Sequence, residues 1–315
     1  MYMQFSRSTF LCLFVFVSIL LPRTGFAQTS LSLSSLSVLQ GEPFVLHING
    51  IGSGSEVKKI IWNDTSFSPF IYQGNVVAFV AVPLTYQSGT TTVRVELQDG
   101  TRLTQDFVVI RRDQPSAPLG IPASLGGNTK SSAIKLISSL QKDNTLLTDM
   151  KTQDHPLWKK SFTFPVENPL VTDSYGYNRD TVGYSIAHKG TDFRAPVGTL
   201  VMAMNRGIVR IAKTTRTYGR MIVIDHGLGV FTMYMHLSKI KVTQGQIIEQ
   251  GKEIGRSGNT GYSEGPHLHV SVRIGNTSRS PLSLENAPGL ASLGNINTQQ
   301  FQKHDWVDRS VPDTY

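Results

Sequence analysis

Five of the eight histidines in this 315-residue chain fall between residues 188 and 269. The first lies in His188-Lys189-Gly190-Thr191-Asp192, where Gly190 and the nearby Pro196 disfavour a helix. Side chains alternate along an extended segment, so His188 and Asp192 share one face. His267-Leu268-His269 opens an apolar run and repeats the pattern, with both imidazoles on one side and Leu268 on the other. Between these clusters, Tyr234-Met235-His236-Leu237 ends another apolar run. Imidazole and carboxylate are ligands of a catalytic zinc ion, which takes three protein groups and keeps a fourth position for water. Two neutral histidines and one aspartate would leave such a site with net positive charge. That charge lowers the pKa of the water to roughly 7 and polarises a scissile carbonyl. Histidines left off the metal would take a proton from the water and stabilise an oxyanion. Spacing alone leaves open which of His267 and His269 would bind the ion.

A plainer reading fits the other histidines. His47, His155 and His304 read as surface or satisfied core residues, and His226, in Asp225-His226-Gly227, as a structural residue at a turn. A lone HxxxD is common by chance, and a lone HxH is only moderately specific. Matching parity in both, with a third histidine at a strand end, is hard to explain by chance. The HExxH pattern is absent, which argues against a helical zinc site.

Together these residues resemble the signature of the lysostaphin/LytM-type zinc metalloendopeptidases, which carry HxGxD, YxHL and GPHLH motifs in that order. Here the last of these is Gly265-Pro266-His267-Leu268-His269. Ala195-Pro196-Val197-Gly198-Thr199, Ile224-Asp225-His226-Gly227-Leu228-Gly229-Val230 and Gly255-Arg256-Ser257-Gly258-Asn259-Thr260-Gly261 are similar to the family as well. The resemblance covers about Phe162 to Pro281. It implies zinc (Zn2+) held by His188, Asp192 and His269, with His236 and His267 as the unligated catalytic pair. It also implies a peptidoglycan hydrolase acting on the peptides of the cell wall. Where the family usually has Thr-Gly before Pro-His, this chain has Glu264-Gly265, which places an acid near the cleft rim.

Positioning such a site requires strands. Leu200–Ile211, Arg220–His226, Val230–Leu237 and His267–Ile274 are strand candidates, with Gly245, Gly251 and Gly255 marking tight turns. Upstream, Phe44, Leu46 and Ile48 alternate with Val45 and His47, as do Val93, Val95 and Leu97 with Arg94 and Glu96. Asp99-Gly100 joins the latter strand to Leu103–Ile110 in a hairpin, and Val76–Val82 is another strand. Gly50-Ile51-Gly52-Ser53-Gly54 has no helix after it and reads as a flexible loop, not a phosphate cradle. The expected architecture is mainly β. An antiparallel, Ig-like N-terminal β-sandwich (residues 28–112) precedes a linker with a helix (113–160). An antiparallel β-sheet metallopeptidase domain (161–285) and a tail (286–315) follow. Ala133, Leu136, Ile137, Leu140 and Leu147 give the linker helix, Ser131–Met150, a stripe expected to pack between the domains.

Residues 1–27 read as a cleaved export signal. Arg7 precedes a 12-residue apolar run from Phe10 to Leu21, too short to span a bilayer, and Gly25-Phe26-Ala27 offers a cleavage site. No stable membrane span is expected after cleavage. The expected location is the periplasm or cell envelope, or the medium. Cys12 is the only cysteine, so the mature chain has neither disulfide nor thiolate ligand. The formal charge of +8 falls to +6 once Arg7 and Arg23 are removed. That excess suits anionic wall polymers, and no basic run with interleaved aromatics suggests nucleic acid. Besides wall hydrolysis, two other functions are compatible with the motifs. One is a catalytically silent, wall-binding activator of other hydrolases; the other is a peptidase of non-wall proteins. The N-terminal domain is expected to bind wall glycan, to engage wall-assembly proteins, or to cover the groove, with Asn128 and the Asp154-His155 pair placed to reach it.

Overall fold

The computed structural model describes residues 28–148, 150–275 and 277–279. The expected signal with Cys12, and the expected tail with His304, lie outside the described residues.

Nine strands of the described residues build the N-terminal domain. They are β1 (Ser30–Leu33), β2 (Ser37–Leu39), β3 (Pro43–Asn49), β4 (Val57–Trp62), β5 (Thr65–Phe67), β6 (Phe70–Tyr72), β7 (Asn75–Ala81), β8 (Gly89–Leu97) and β9 (Arg102–Ile110). One sheet runs β1-β3-β7-β6 and the other β2-β9-β8-β4-β5. All pairs are antiparallel except β2 with β9. Phe44, Leu46 and Ile48 point inward, as their alternation predicts, and share a core with Val93, Val95 and Phe107. Asp99-Gly100 turns β8 into β9, with Gly100 at φ 89, open to glycine without steric cost. The Gly50–Gly54 loop is more ordered than expected. Glu56 accepts from the backbone N–H groups of Gly52 and Ser53 and closes a single 3-10 turn.

Strand β7 departs from simple alternation. Val77, Phe79 and Ala81 are buried on the outer face, together with Val45 of β3. They pack against Trp158 and Phe162, with the Phe79 and Trp158 ring centroids 6.2 Å apart. One sheet of the sandwich is therefore covered on both sides, which accounts for the unbroken apolar run at 76–82.

The linker joins the C-terminal domain. Strand β10 (Ser116–Pro118) is followed by helix α1 (Lys130–Thr145), which the Thr129 hydroxyl caps by accepting from Ser132 N–H. The helix does not sit between the domains. Its stripe of Ala133, Leu136 and Leu140 packs on Ile121, Ile186 and Tyr262, because β10 pairs in parallel with a strand of the C-terminal domain and carries the chain there.

Thirteen further strands follow among the described residues. They are β11 (Val171–Asp173), β12 (Asn178–Thr181), β13 (Tyr184–Ala187), β14 (Thr191–Arg194), β15 (Leu200–Met202), β16 (Gly207–Thr215) and β17 (Gly219–Asp225). The series continues with β18 (Val230–Leu237), β19 (Lys239–Ile240), β20 (Ile247–Ile248), β21 (Glu253–Arg256), β22 (His267–Ile274) and β23 (Thr277–Arg279). Strand β12 is the partner of β10. The main sheet runs β11-β14-β22-β18-β17-β16-β20, with β23 also on β22, and a small sheet runs β15-β21-β19. The single strand expected over Leu200–Ile211 is two, because residues 203–206 carry the chain from the small sheet to the large one.

The two faces of the main sheet are chemically distinct. Leu268, Val270, Val272 and Ile274 of β22 join Phe193, Ile222, Ile224 and Tyr234 in the core. On the opposite face, His267, His269, Ser271 and Arg273 line a groove of about 620 Å³.

Candidate active site

The groove gathers the five residues singled out in the sequence. Strand β14 pairs with β22 so that Asp192 stands opposite His269, and Arg194 opposite His267. His188 lies just before β14, in the short connection from β13, and reaches the same point. Gly190 makes room in that connection. A Cβ there would overlap Nε2 of His269 and lie 2.6 Å from both its Cε1 and the Val270 carbonyl oxygen.

Nε2 of His188 is 3.1 Å from Nδ1 of His269 and 3.2 Å from Oδ1 of Asp192. Nδ1 of His269 is 2.8 Å from the same carboxylate oxygen. The outer nitrogens of both rings are engaged elsewhere. His188 Nδ1–H donates to the Ser174 carbonyl at 2.9 Å. The Ser271 hydroxyl donates to the Lys189 carbonyl at 2.8 Å and so accepts from His269 Nε2–H at 3.0 Å. Three lone pairs therefore converge with no hydrogen of their own to separate them, which calls for a shared cation. Ligands of a tetrahedral zinc sit about 2.0–2.1 Å from it and so about 3.3 Å from one another. The donor set fits that ion in type, spacing and charge. Burial would raise the Asp192 carboxyl, but the adjacent His188 and His269 rings outweigh it and hold the group well below its ordinary value. Burial lowers the pKa of the His269 ring, against the opposing pull of Asp192.

His267 and His236 complete the group. His267 Nδ1–H donates to the Gly265 carbonyl at 2.8 Å, leaving its Nε2 lone pair 3.7 Å from Asp192 Oδ1. His236 Nδ1–H donates to the Thr260 carbonyl at 2.7 Å, and its ring centroid lies 4.9 Å from that of His267. Burial, reinforced by His267 and His269, pushes His236 down to about 3. With Nδ1–H engaged by a carbonyl, the neutral form of each ring carries its lone pair on Nε2. Strict alternation would have sent His236 into the core beside Tyr234. Instead, the β17–β18 register gains one residue on β18 between Tyr234 and Leu237, and His236 sits at φ 60. The bulge turns Met235 and His236 to the same face.

His226 is not in the groove. It is fully buried between the Arg206 carbonyl at 2.8 Å and the Thr232 hydroxyl at 2.7 Å. Asn128 and the Asp154-His155 pair do not line the groove either. Asn128 Oδ1 accepts from Ile121 N–H, and Asp154 and His155 pair with each other at 2.8 Å, beside the Gly227 turn.

Helix α1 was legible as a packing helix but not as a wall of the groove. Leu136 and Leu140 line it, and Leu119-Gly120 lies at its rim, where Glu264 accepts from Gly120 N–H at 2.5 Å. The helix end is anchored by Asp143 Oδ2 on Thr217 N–H at 2.7 Å and by Asn144 Oδ1 on Tyr218 O–H at 2.8 Å. Ser271 also escaped notice, although its parity with His267 and His269 would have marked it.

The C-terminal domain thus carries a metal-competent cluster of histidines and aspartate on one face of an antiparallel sheet. The model of Peptidase family M23 matches residues 186–281 of this chain. The peptidoglycan DD-endopeptidase ShyA of Vibrio cholerae is 48% identical over 87 residues, which are 28% of this chain and 20% of ShyA. The peptidoglycan DD-endopeptidase ShyB of the same organism is 33% identical over 160 residues, 47% of this chain and 38% of ShyB. The chain thus spans well under half the length of these relatives. A solved structure described as an M23 peptidase of Pseudomonas aeruginosa shares the fold, with TM-score 0.57 and 21% identity over 81% of this chain and 96% of that one.

Proposed function

We propose that this protein is an exported zinc metalloendopeptidase that hydrolyses peptide bonds in peptidoglycan crosslinks or stem peptides. One observation carries the reading: three lone pairs, from His188, Asp192 and His269, converge beside two imidazoles with free Nε2 atoms. His188, Asp192 and His269 would hold the zinc, which supplies a Lewis acid and an acidified water when bound. His267 Nε2 lies 3.7 Å from the Asp192 carboxylate and takes a proton from the attacking water. Its Nδ1–H bond to Gly265 fixes the ring for that transfer. The proton then passes to the leaving amine. His236, buried and neutral, is the second acceptor on the same side, and either ring, once protonated, offers an N–H to the developing oxyanion. The fixed wall from α1 limits approach to an extended chain laid along β22.

A silent activator would be expected to lack part of the ligand or base set, and this groove holds all five residues. The wall as substrate rests on relatives named for peptidoglycan and on the export signal expected over residues 1–27. Among the described residues no helix is long and apolar enough to cross a membrane.

Digestion of purified sacculi with and without chelator, followed by mass analysis of fragments from defined muropeptides, tests the proposal. Soluble fragments that disappear with chelator and return with zinc are expected. Intact sacculi under all conditions, or faster cleavage of an unrelated protein, would refute it.

A further inference from the structure

The row His267, His269, Ser271 on β22 continues to Arg273, which shares their face and lines the same groove. Residues four apart along a strand are about 13 Å apart, so Arg273 stands roughly four extended peptide residues from the His269 end. Its guanidinium is half-buried, and Nη1 donates to the Leu147 carbonyl at 2.6 Å. A guanidinium has five N–H donors. Among the described residues no other acceptor and no carboxylate meets this one. The acids that line the groove are engaged elsewhere, Asp192 with the histidines and Glu264 with Gly120 N–H. The other buried cation there, Arg179, is paired with Asp173. Burial lowers the Arg273 pKa from its usual value, and the Tyr218 hydroxyl is the one group opposing it.

We propose that Arg273 anchors a free carboxylate of the substrate peptide, at the end of the groove remote from the metal ligands. This rests on the peptidase reading above and adds the substrate class: a peptide bearing an acid a few residues from the bond that is cut. The planar fork of a guanidinium binds carboxylate through paired hydrogen bonds, a match that neither an amide nor a hydroxyl reproduces. The aliphatic wall of Leu140, Leu147 and Met233 beside it excludes water and strengthens the pair. Cell-wall stem peptides carry such carboxylates beside their backbone.

The test uses the mature protein, its Arg273→Met and Arg273→Lys variants, and crosslinked stem-peptide dimers with carboxylates either free or amidated. Wild-type protein should favour the free-acid dimer about ten- to a hundredfold in kcat/KM, mostly through KM. Arg273→Met should remove that preference, with the loss confined to the free-acid dimer and the zinc content unchanged, and Arg273→Lys should restore part of it. Equal loss on both dimers, or an unchanged preference, would overturn the proposal. Asp149 follows Leu147 by two positions and lies outside the described residues, so Asp149→Asn is included. Tighter binding of the free-acid dimer in that variant would identify an acid of the chain itself as the occupant and would also overturn the anchor. Binding of both dimers to chelator-treated protein repeats the comparison without turnover. If no dimer is cut, the peptidase reading fails, while the binding difference still decides the role of Arg273.

Discussion

Oδ1 of Asp192 and Nδ1 of His269 face each other at 2.8 Å across the β14–β22 ladder. The pairing is a matter of register, and a slip by a single residue would turn one of them into the core. The ladder itself thus holds these two members of the metal-competent cluster together. His188 joins it from outside the ladder, held by its bond to the Ser174 carbonyl.

Replacing His188 or Asp192 with Ala should remove stoichiometric zinc and reduce wall digestion to background. Metal analysis beside sacculus digestion checks both. A variant that keeps zinc and activity would show that the cluster is not the metal site.

His267→Ala should keep the zinc, because no metal ligand is lost, but slow turnover by about 10²–10⁴. His236→Ala should behave alike. Zinc content and kcat measured on the same preparation separate this outcome from unfolding.

Gly190→Ala places a methyl group against the His269 ring and the Val270 carbonyl. Overpacking of this kind costs about 1–3 kcal/mol. Because the ring that must move is a proposed ligand, zinc affinity should fall with Tm. Chelator competition and thermal melts measure the two effects, and a loss of Tm with zinc affinity unchanged would exonerate the ring.

Burial pushes His226 down to about 4, against about 6.5 when exposed. The folded state thus prefers the neutral ring. Its contribution is complete above pH 6.5, where both states are neutral. As pH falls from 6.5 toward 4 the unfolded chain takes the proton first, and stability drops by up to about 3 kcal/mol. Tm recorded across that window, with zinc chelated throughout, should fall more steeply in wild-type protein than in His226→Gln. Parallel curves would assign the acid sensitivity to other groups.

Trp158→Ala should uncouple the domains, since this side chain packs with Phe79 of the sandwich and Phe162 of the C-terminal domain. Emptying such a site costs about 3–5 kcal/mol. A chain truncated before residue 113 should likewise expose Trp158 and Phe162 and associate, which light scattering would detect.

Much of this was written in local pattern. The alternation in β3 and β8, the Asp99-Gly100 turn and the two histidine motifs need only neighbours in sequence, because strand parity and turn conformation are local properties. Strands β18 and β22 begin and end where their apolar runs do. Parity likewise put His267 and His269 on one face. It could not place His236, since a bulge against β17 reverses its direction, and a bulge depends on the register with another strand. Nor could it show that α1 turns its stripe to the groove, that β7 is buried on both faces, or that Ser271 orients His269. Each of those depends on a surface brought from a distant part of the chain. Local residues determined which groups could bind a metal and move a proton, whereas long-range packing decided which atoms meet, which ring nitrogen is free and what encloses them.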